Sequence, residues 1–284
     1  MNWVDTHQTL DHLLNQEDRL TVHPMEQGLE AEVVKICSDQ ESFVMKTWNK
    51  SSKPDVRAQF HLLNALSERG ISVSRPVGWG IDPNSDTVLL TTFDGTPIRN
   101  VDEDKIKAVA EILSSIHRIR IEEIGPVPIP KYDFIGYFFA EASEHADIHE
   151  ALTALIPIAQ IQQDRIIHGD FHGSNIVEDH DRRYTVIDWT NGQVGDPRYD
   201  LAWALILQKI YASERVADVF CSAYLAESDM QQQELEVFEV LACLRWVLLY
   251  RSGGVPLEPA TKDIVQSLLM NNSFLKALSI KIVA

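Results

Sequence analysis

The stretch Ile167-His168-Gly169-Asp170-Phe171-His172-Gly173-Ser174-Asn175-Ile176-Val177, followed closely by Tyr184-Thr185-Val186-Ile187-Asp188-Trp189, decides how this 284-residue chain is read. Two short apolar runs each lead to or from a carboxylate or an amide. That pattern predicts a small hairpin-like unit with Asp170, Asn175 and Asp188 at its mouth. Asp170 and Asn175 are five apart across Phe171-His172-Gly173-Ser174, too irregular for one helical face but readily joined by a loop. Asp188 arrives at the end of a strand over residues 184–187, eighteen residues after Asp170. Three converging oxygen-bearing side chains suit a divalent metal and a hydroxyl to be activated. Phosphoryl transfer needs such an inventory: a carboxylate to accept or orient the acceptor hydroxyl, and Asp and Asn oxygens to hold magnesium against phosphates.

The length suits one large domain or two lobes sharing a cleft. With 45% hydrophobic and 24% charged residues the composition is that of an ordinary soluble globular enzyme. The formal charge of −17 argues against non-specific attraction to nucleic acid or to an anionic membrane. It permits a cationic small-molecule substrate without requiring one. The three cysteines, Cys37, Cys221 and Cys243, are far apart and each sits in an apolar run. They form neither a disulfide framework nor a metal-binding pair, as expected of buried thiols in a reducing compartment. No basic region precedes an apolar core at the start, and no run approaches the length of a membrane span, which predicts a cytoplasmic location.

Outward from the central stretch, residues 19–92 read mostly as strands with one helix between them. Residues 31–37 and 42–48 are β-rich runs separated by Ser38-Asp39-Gln40-Glu41, which suits a hairpin turn. Pro54 opens a helix in which Val56, Phe60, Leu63 and Leu66 recur at helical spacing, and Gly70 closes it. Residues 76–81 and 86–92 then read as two more strands around a turn at Asp82-Pro83-Asn84-Ser85. The pattern changes at Phe93-Asp94-Gly95-Thr96-Pro97. From Asp102 onward helices dominate, beginning with a stripe of Ile106, Val109, Ala110, Leu113, Ile116 and His117. His117 reads as a core histidine with a satisfied ring nitrogen. Four helices are predicted over residues 199–211, 214–226, 232–251 and 260–278. The expected organisation is α+β: a small antiparallel sheet with one helix over residues 1–94, and a larger, mostly helical lobe over residues 95–284.

His168-Gly169-Asp170-x-His172-x-x-Asn175, then Ile187-Asp188-Trp189, Gly195-Asp196-Pro197 and Asp200-Leu201-Ala202, resemble the aminoglycoside phosphotransferase and choline-kinase-like family, small-molecule kinases with a protein-kinase-like fold. Four elements in the right order and spacing carry the resemblance, strongest over residues 166–203. It implies a two-lobed fold with ATP or GTP between the lobes. A small-molecule hydroxyl acceptor would lie on the helical lobe, bounded by residues 131–150 and by the helices after Asp200. It makes Asp170 the catalytic base or hydroxyl-orienting carboxylate, and Asn175 and Asp188 the magnesium ligands. Asp200 would brace the catalytic loop from behind, His168 would hold that loop, and His172 would lie near the phosphates.

By the same resemblance Phe43-Val44-Met45-Lys46 is the strand bearing the phosphate-binding lysine, Lys46. The helix glutamate that usually positions it falls at Gln59. This is a departure, because an amide can hydrogen-bond Lys46 but cannot neutralise it; Glu41 or Glu68 would have to substitute. The nucleotide loop would lie around Gly28, in Gln27-Gly28-Leu29-Glu30-Ala31-Glu32. There only backbone N–H groups can cradle phosphate. Thr92 and Phe93, in the connector of residues 91–94, would pack against the base. The acceptor stays open between polyamine-like antibiotics, sugars, amino alcohols and macrolides.

Two other readings compete. A catalytically inactive kinase-like domain that binds nucleotide or a partner is favoured by Gln59 and the acidic loop, and opposed by Asp170, Asn175 and Asp188. A binuclear metallophosphoesterase would need an early D-x-H, offered by Asp5-Thr6-His7, and a G-N-H element, which occurs nowhere in the chain.

Overall fold

The computed structural model describes residues 1–15, 17–25, 31–39, 41–49, 54–274, 280 and 282. In chain order the elements are β1 (Asn2–Thr6), α1 (Gln8–Leu14), β2 (Thr21–Pro24), β3 (Glu32–Cys37), β4 (Ser42–Trp48), α2 (Val56–Ser67), β5 (Pro76–Ile81), β6 (Thr87–Thr92) and β7 (Thr96–Pro97). They continue with α3 (Glu103–His117), α4 (Ile121–Ile124), α5 (Phe134–Phe138), α6 (Ala146–Ala159), β8 (Arg165–Ile167), β9 (Ile176–Glu178), β10 (Tyr184–Val186) and β11 (Gln193–Gly195). The last helices are α7 (Pro197–Tyr211), α8 (Glu214–Ala226), α9 (Glu236–Arg251) and α10 (Thr261–Asn271). The architecture is α+β. Among the described residues no helix is long and apolar enough to cross a membrane, and the three cysteines are free thiols.

The chain divides into two compact units, the first comprising residues 1–98, 124–129 and 173–192, the second the rest. In the first, six antiparallel strands are ordered β1-β5-β6-β4-β3-β2. β4 is central, with Lys46 paired to Val33 of β3 and to Leu89 of β6. Phe43 from β4, Val77 from β5 and Leu90 from β6 bury against Leu10 and Leu13 of α1. Removing each such side chain from water is worth about 1.5–3 kcal/mol, which fixes the face the sheet turns inward. α2 begins where Asp55 accepts the N–H of Ala58 at 2.9 Å, a side-chain cap for an otherwise orphaned donor. Its apolar positions Phe60, Leu62, Leu63 and Leu66 are buried. Gly70 follows at φ +74°, in the left-handed region that closes helices.

A second, three-stranded sheet of order β10-β9-β7 belongs to the same unit. Its hairpin is tied to the first ninety-eight residues by the β7–β9 pairing, by a parallel bridge from Val186 to Val73 and by the Ser72 hydroxyl, which donates to the Tyr184 carbonyl. These bonds are why residues 173–192 group with the sheet unit, whereas the sequence suggested a single cut after residue 94. α1 adds a second helix to this unit; at seven residues it is too short to show a helical stripe in the sequence.

In the second unit α9 is central. Residues Val237, Phe238, Val240, Leu241 and Leu244 are all buried in one apolar cluster with Phe134, Leu155, Trp203 and Trp246. α7, which packs on α9 and α8, starts at Pro197 behind the cap Asp196, the favoured order of cap and first helical residue. β8 pairs with β11. α10 ends at Asn271, short of the predicted end; residues 275–278 lie outside the described part.

Gly95 sits at φ +135°, and a Cβ there would lie 2.3 Å from the Glu178 carbonyl oxygen. Gly125, at φ +82°, has open space around it. Gly95→Ala is therefore expected to lower unfolding stability by clearly more than about 1 kcal/mol, and Gly125→Ala by less. Urea midpoints of the two variants compare them directly; equal midpoints would show that the β7–β9 contact does not depend on this glycine.

Candidate active site

Within the helical unit, the loop of residues 168–172 leaves β8, whose Ile166 and Ile167 are buried, and reverses at Gly169, φ +79°. Asp200, in the first turn of α7, holds this loop. Its carboxylate accepts the His168 N–H at 2.8 Å, the Gly169 N–H at 2.9 Å and His117 Nε2–H at 3.0 Å. The other ring nitrogen of His117 lies 2.7 Å from the Tyr224 hydroxyl. Asp200 is 1% exposed, and that burial pushes its carboxyl up. The His117 hydrogen bond and charge, with the contribution of His168, more than offset burial and hold it below the usual carboxylate range. His168 is fully buried, and its Nδ1 accepts the Asp170 N–H at 3.2 Å.

Asp170 stands at the end of this scaffold with its side chain 32% exposed. Trp203 Nε1–H donates to Oδ1 at 2.9 Å. His172 Nε2 lies 3.6 Å from Oδ2, a charge neighbour rather than a well-formed hydrogen bond. Burial raises the Asp170 carboxyl, but His172, the Arg245 guanidinium and the Trp203 indole together hold it well below the usual range. Asp170 is thus an anion throughout the physiological pH range.

Within the sheet unit, Asn175 and Asp188 flank the β9–β10 hairpin. The Ile187 N–H donates to the Asn175 carbonyl at 2.9 Å, tying the backbone before Asp188 to Asn175. Asn175 is buried. Asp188 adopts a left-handed backbone, φ 63° and ψ 62°, a conformation that aspartate tolerates better than most residues. Its Oδ1 accepts from Lys46 Nζ at 3.0 Å and from the Thr190 hydroxyl at 3.0 Å. The structure therefore brings Lys46 to Asp188. Gln59 is buried, and its Nε2 has no partner among the described residues. Glu41 faces Arg75 at 4.0 Å, so the carboxylate beside Lys46 is Asp188.

Thr92 and Phe93 are held as a connector. The Thr92 hydroxyl donates to Asp94 at 2.9 Å and accepts from the Arg75 N–H at 3.0 Å. The Phe93 N–H donates to the Ser42 carbonyl at 2.9 Å, and Lys35 Nζ sits 3.5 Å from the Phe93 ring centroid. Phe93 and Asp94 also wall an open pocket of about 740 Å³ with Ser72, Glu178 and Arg183. Gly28 and the loop around it lie outside the described residues. Asp5 and His7 have local tasks: Asp5 accepts from Trp79 Nε1 at 2.7 Å, and His7 caps α1 through Thr9.

The chain thus carries, in one unit, an ionised carboxylate locked on a braced loop and, in the other, a lysine paired with a carboxylate beside the hairpin that also bears Asn175. The sequence matches the family described as the phosphotransferase enzyme family over residues 21–235. The chain belongs to that family.

Several solved structures of other phosphotransferases share the fold. A thermostable mutant of aminoglycoside phosphotransferase APH(4)-Ia, in a ternary complex with ADP and hygromycin B, is 15% identical with a TM-score of 0.67 over 97% of this chain and 100% of that one. Choline kinase LicA from Streptococcus pneumoniae is 16% identical, with a TM-score of 0.63 over 96% and 100%. Ethanolamine kinase from Plasmodium vivax is 14% identical, with a TM-score of 0.61 over 91% and 83%. At these identities the likeness shows the fold, which is protein-kinase-like. No curated protein matches the sequence.

Two residues of this phosphotransferase-family chain that touch the loop of residues 168–172 were not singled out from the sequence, Trp203 and Arg245. Arg245 NH1 donates to the Gly169 carbonyl at 3.0 Å. The available signal was an arginine inside the apolar stripe of α9, since a buried charge needs a partner.

The Asp200 bonds make a pH-dependent prediction. Its folded pKa lies below the unfolded value of about 4, so its stabilisation is fully present above that value and fades as pH falls toward the folded one. Asp200→Asn places an amide donor against donors and is expected to cost about 3 kcal/mol near neutral pH. Urea midpoints measured from pH 7 downward should show the gap to wild type narrowing below about pH 4; a gap constant with pH would refute the charge assignment.

Proposed function

We propose that the protein is a magnesium-dependent kinase that moves the γ-phosphoryl group of ATP or GTP to a hydroxyl of a small molecule. The observation that carries this reading is Asp170: an ionised, part-exposed carboxylate on a loop whose backbone is bonded to buried Asp200. Membership of the phosphotransferase enzyme family supports it, as does the motif itself, in which four residues separate Asp170 from Asn175. Acceptors named for structures of the same fold, an aminoglycoside in one and choline or ethanolamine in others, favour a small-molecule alcohol.

The acceptor O–H would donate its hydrogen bond to Asp170, which turns an oxygen lone pair toward the γ-phosphorus. The new O–P bond forms as the bond from the γ-phosphorus to the bridging oxygen breaks, and the nucleoside diphosphate leaves with that electron pair. A carboxyl held so far below the usual range is a weak base for a neutral alcohol. Its main contribution is orientation, and it takes the proton late, as bonding to phosphorus makes the hydroxyl acidic. The amide oxygen of Asn175 and the carboxylate of Asp188 are hard oxygen donors of the type magnesium takes. They would hold the ion, which supplies neutralisation of phosphate charge. Lys46 would exchange its contact with Asp188 for phosphate oxygens.

A second reading, a nucleotide-binding protein without transfer activity, draws on Gln59, which stands at the helix position where the family resemblance expects glutamate and whose buried Nε2 has no partner among the described residues. One experiment separates the two. Purified protein with magnesium and ATP or GTP is offered aminoglycosides, macrolides, choline-like amines and sugars, and acceptor-dependent nucleotide consumption is measured. With an acceptor in hand, Asp170→Ala is expected to lower kcat by about 10²–10⁴-fold while nucleotide affinity changes little. Asp188→Ala is expected to abolish the magnesium dependence of nucleotide binding. Full turnover by Asp170→Ala would overturn the mechanism, and nucleotide binding without consumption across the panel would favour the inactive reading.

A further inference from the structure

We propose that Trp203 and Arg245 are positioning residues for Asp170: the Trp203 indole N–H fixes the carboxylate rotamer, and Arg245 clamps the backbone one residue before it. The inference rests on the role given to Asp170 above and goes beyond it by naming what holds the reacting oxygens in place.

Trp203 lies three residues after Asp200 on α7, one turn along the same helix. One rigid helix therefore holds the loop backbone through Asp200 and the side-chain carboxylate through the indole, at 2.9 Å from Asp170 Oδ1. The ring is 3% exposed, so the indole is fixed by packing and its N–H points in one direction only. With Oδ1 engaged by Trp203, Oδ2, which faces His172, is the oxygen turned toward an incoming hydroxyl.

Arg245 comes from α9, the central helix of the unit, and is 8% exposed in an otherwise apolar run. Its guanidinium carbon lies 4.1 Å from the Trp203 ring centroid and 4.7 Å from that of Phe138. A planar guanidinium stacks on aromatic faces while its edge still donates hydrogen bonds, and here NH1 donates to the Gly169 carbonyl at 3.0 Å. The same group presses on the back of the indole and anchors the peptide that precedes Asp170. A buried cation needs a counter-charge. The Asp170 carboxylate, which Arg245 helps keep ionised, is such a charge. A packing role alone would not call for a charged side chain against both the indole and the loop.

The test uses the full chain with the substitutions Trp203→Phe, Arg245→Met, Arg245→Lys and Asp170→Asn. Protein labelled with ¹³C at the Asp carboxyl carbons gives the Asp170 titration, its signal assigned by its loss in Asp170→Asn. Mg-ATP affinity is measured by calorimetry, and turnover with an acceptor found in the panel. Trp203→Phe keeps the ring and loses the N–H. It is expected to bind Mg-ATP within about twofold of wild type and to lose about 10–100-fold in kcat, the scale expected for a misaligned reacting group. The Asp170 signal should titrate at higher pH in Trp203→Phe and in Arg245→Met. Arg245→Lys, which keeps the charge without the planar fork, should restore much of the titration and little of kcat. If Trp203→Phe does not fold, the Arg245 pair carries the test alone, and the titration needs no acceptor. Folded variants with wild-type kcat and wild-type titration would overturn the proposal. Undiminished turnover by Asp170→Asn would instead overturn the role of Asp170, so the two failures are distinguishable.

Discussion

Burying a carboxylate removes it from water, and only a full set of donors offsets that loss. Asp200 meets this requirement with two consecutive backbone N–H groups, of His168 and Gly169, and with the ring of His117. The backbone donors belong to the loop that carries Asp170, so the solvation needs of one buried anion dictate the shape of that loop. The position of Asp200 in the first turn of α7 adds to this, since a helix N-terminus favours negative charge. His117 closes the set from α3 and is itself held by Tyr224 of α8. Three helices are thus coupled to one carboxylate, and the loop cannot shift without breaking bonds in the driest part of the unit.

The fold was readable wherever a periodic pattern ran long enough to be distinctive. β3 to β6, α2, α3 and α7 to α9 fall close to their predicted spans because alternation or a helical stripe persists through each. β1, α1 and α6 escaped for different reasons. β1 and α1 are five and seven residues long, and α6 follows a proline-rich, aromatic segment and contains Pro157, a residue that argues against a helix from sequence alone.

The candidate site was readable in part for a related reason. Residues 167–189 bring their own hairpin, so the proximity of Asn175 to the backbone before Asp188 follows from short-range pairing of β9 with β10. The partners of Asp170 are of another kind. Trp203 and Arg245 reach the loop from α7 and α9, across sequence separations of 33 and 76 residues, and no local pattern announces such a contact. The partner of Lys46 was hidden by a substitution. With an amide at position 59, the carboxylate that Lys46 bonds is Asp188, 142 residues away.

That substitution sets two kinds of ion pair apart in the molecule. The bonds to Asp200 are dry, and breaking them leaves an uncompensated buried charge, so they behave as permanent structure. Lys46 and Asp188 are 22% and 43% exposed at the side chain, and pairs this wet contribute at most about 1 kcal/mol. A bridge that contributes little to stability is easily exchanged. On the proposed function, phosphate oxygens would take Lys46 and a metal ion would take Asp188 with little loss from the fold. The Asp170 loop is therefore rigid and the Lys46 contact exchangeable: one is fixed by dry bonds to a buried anion, and the other is a bridge open to solvent.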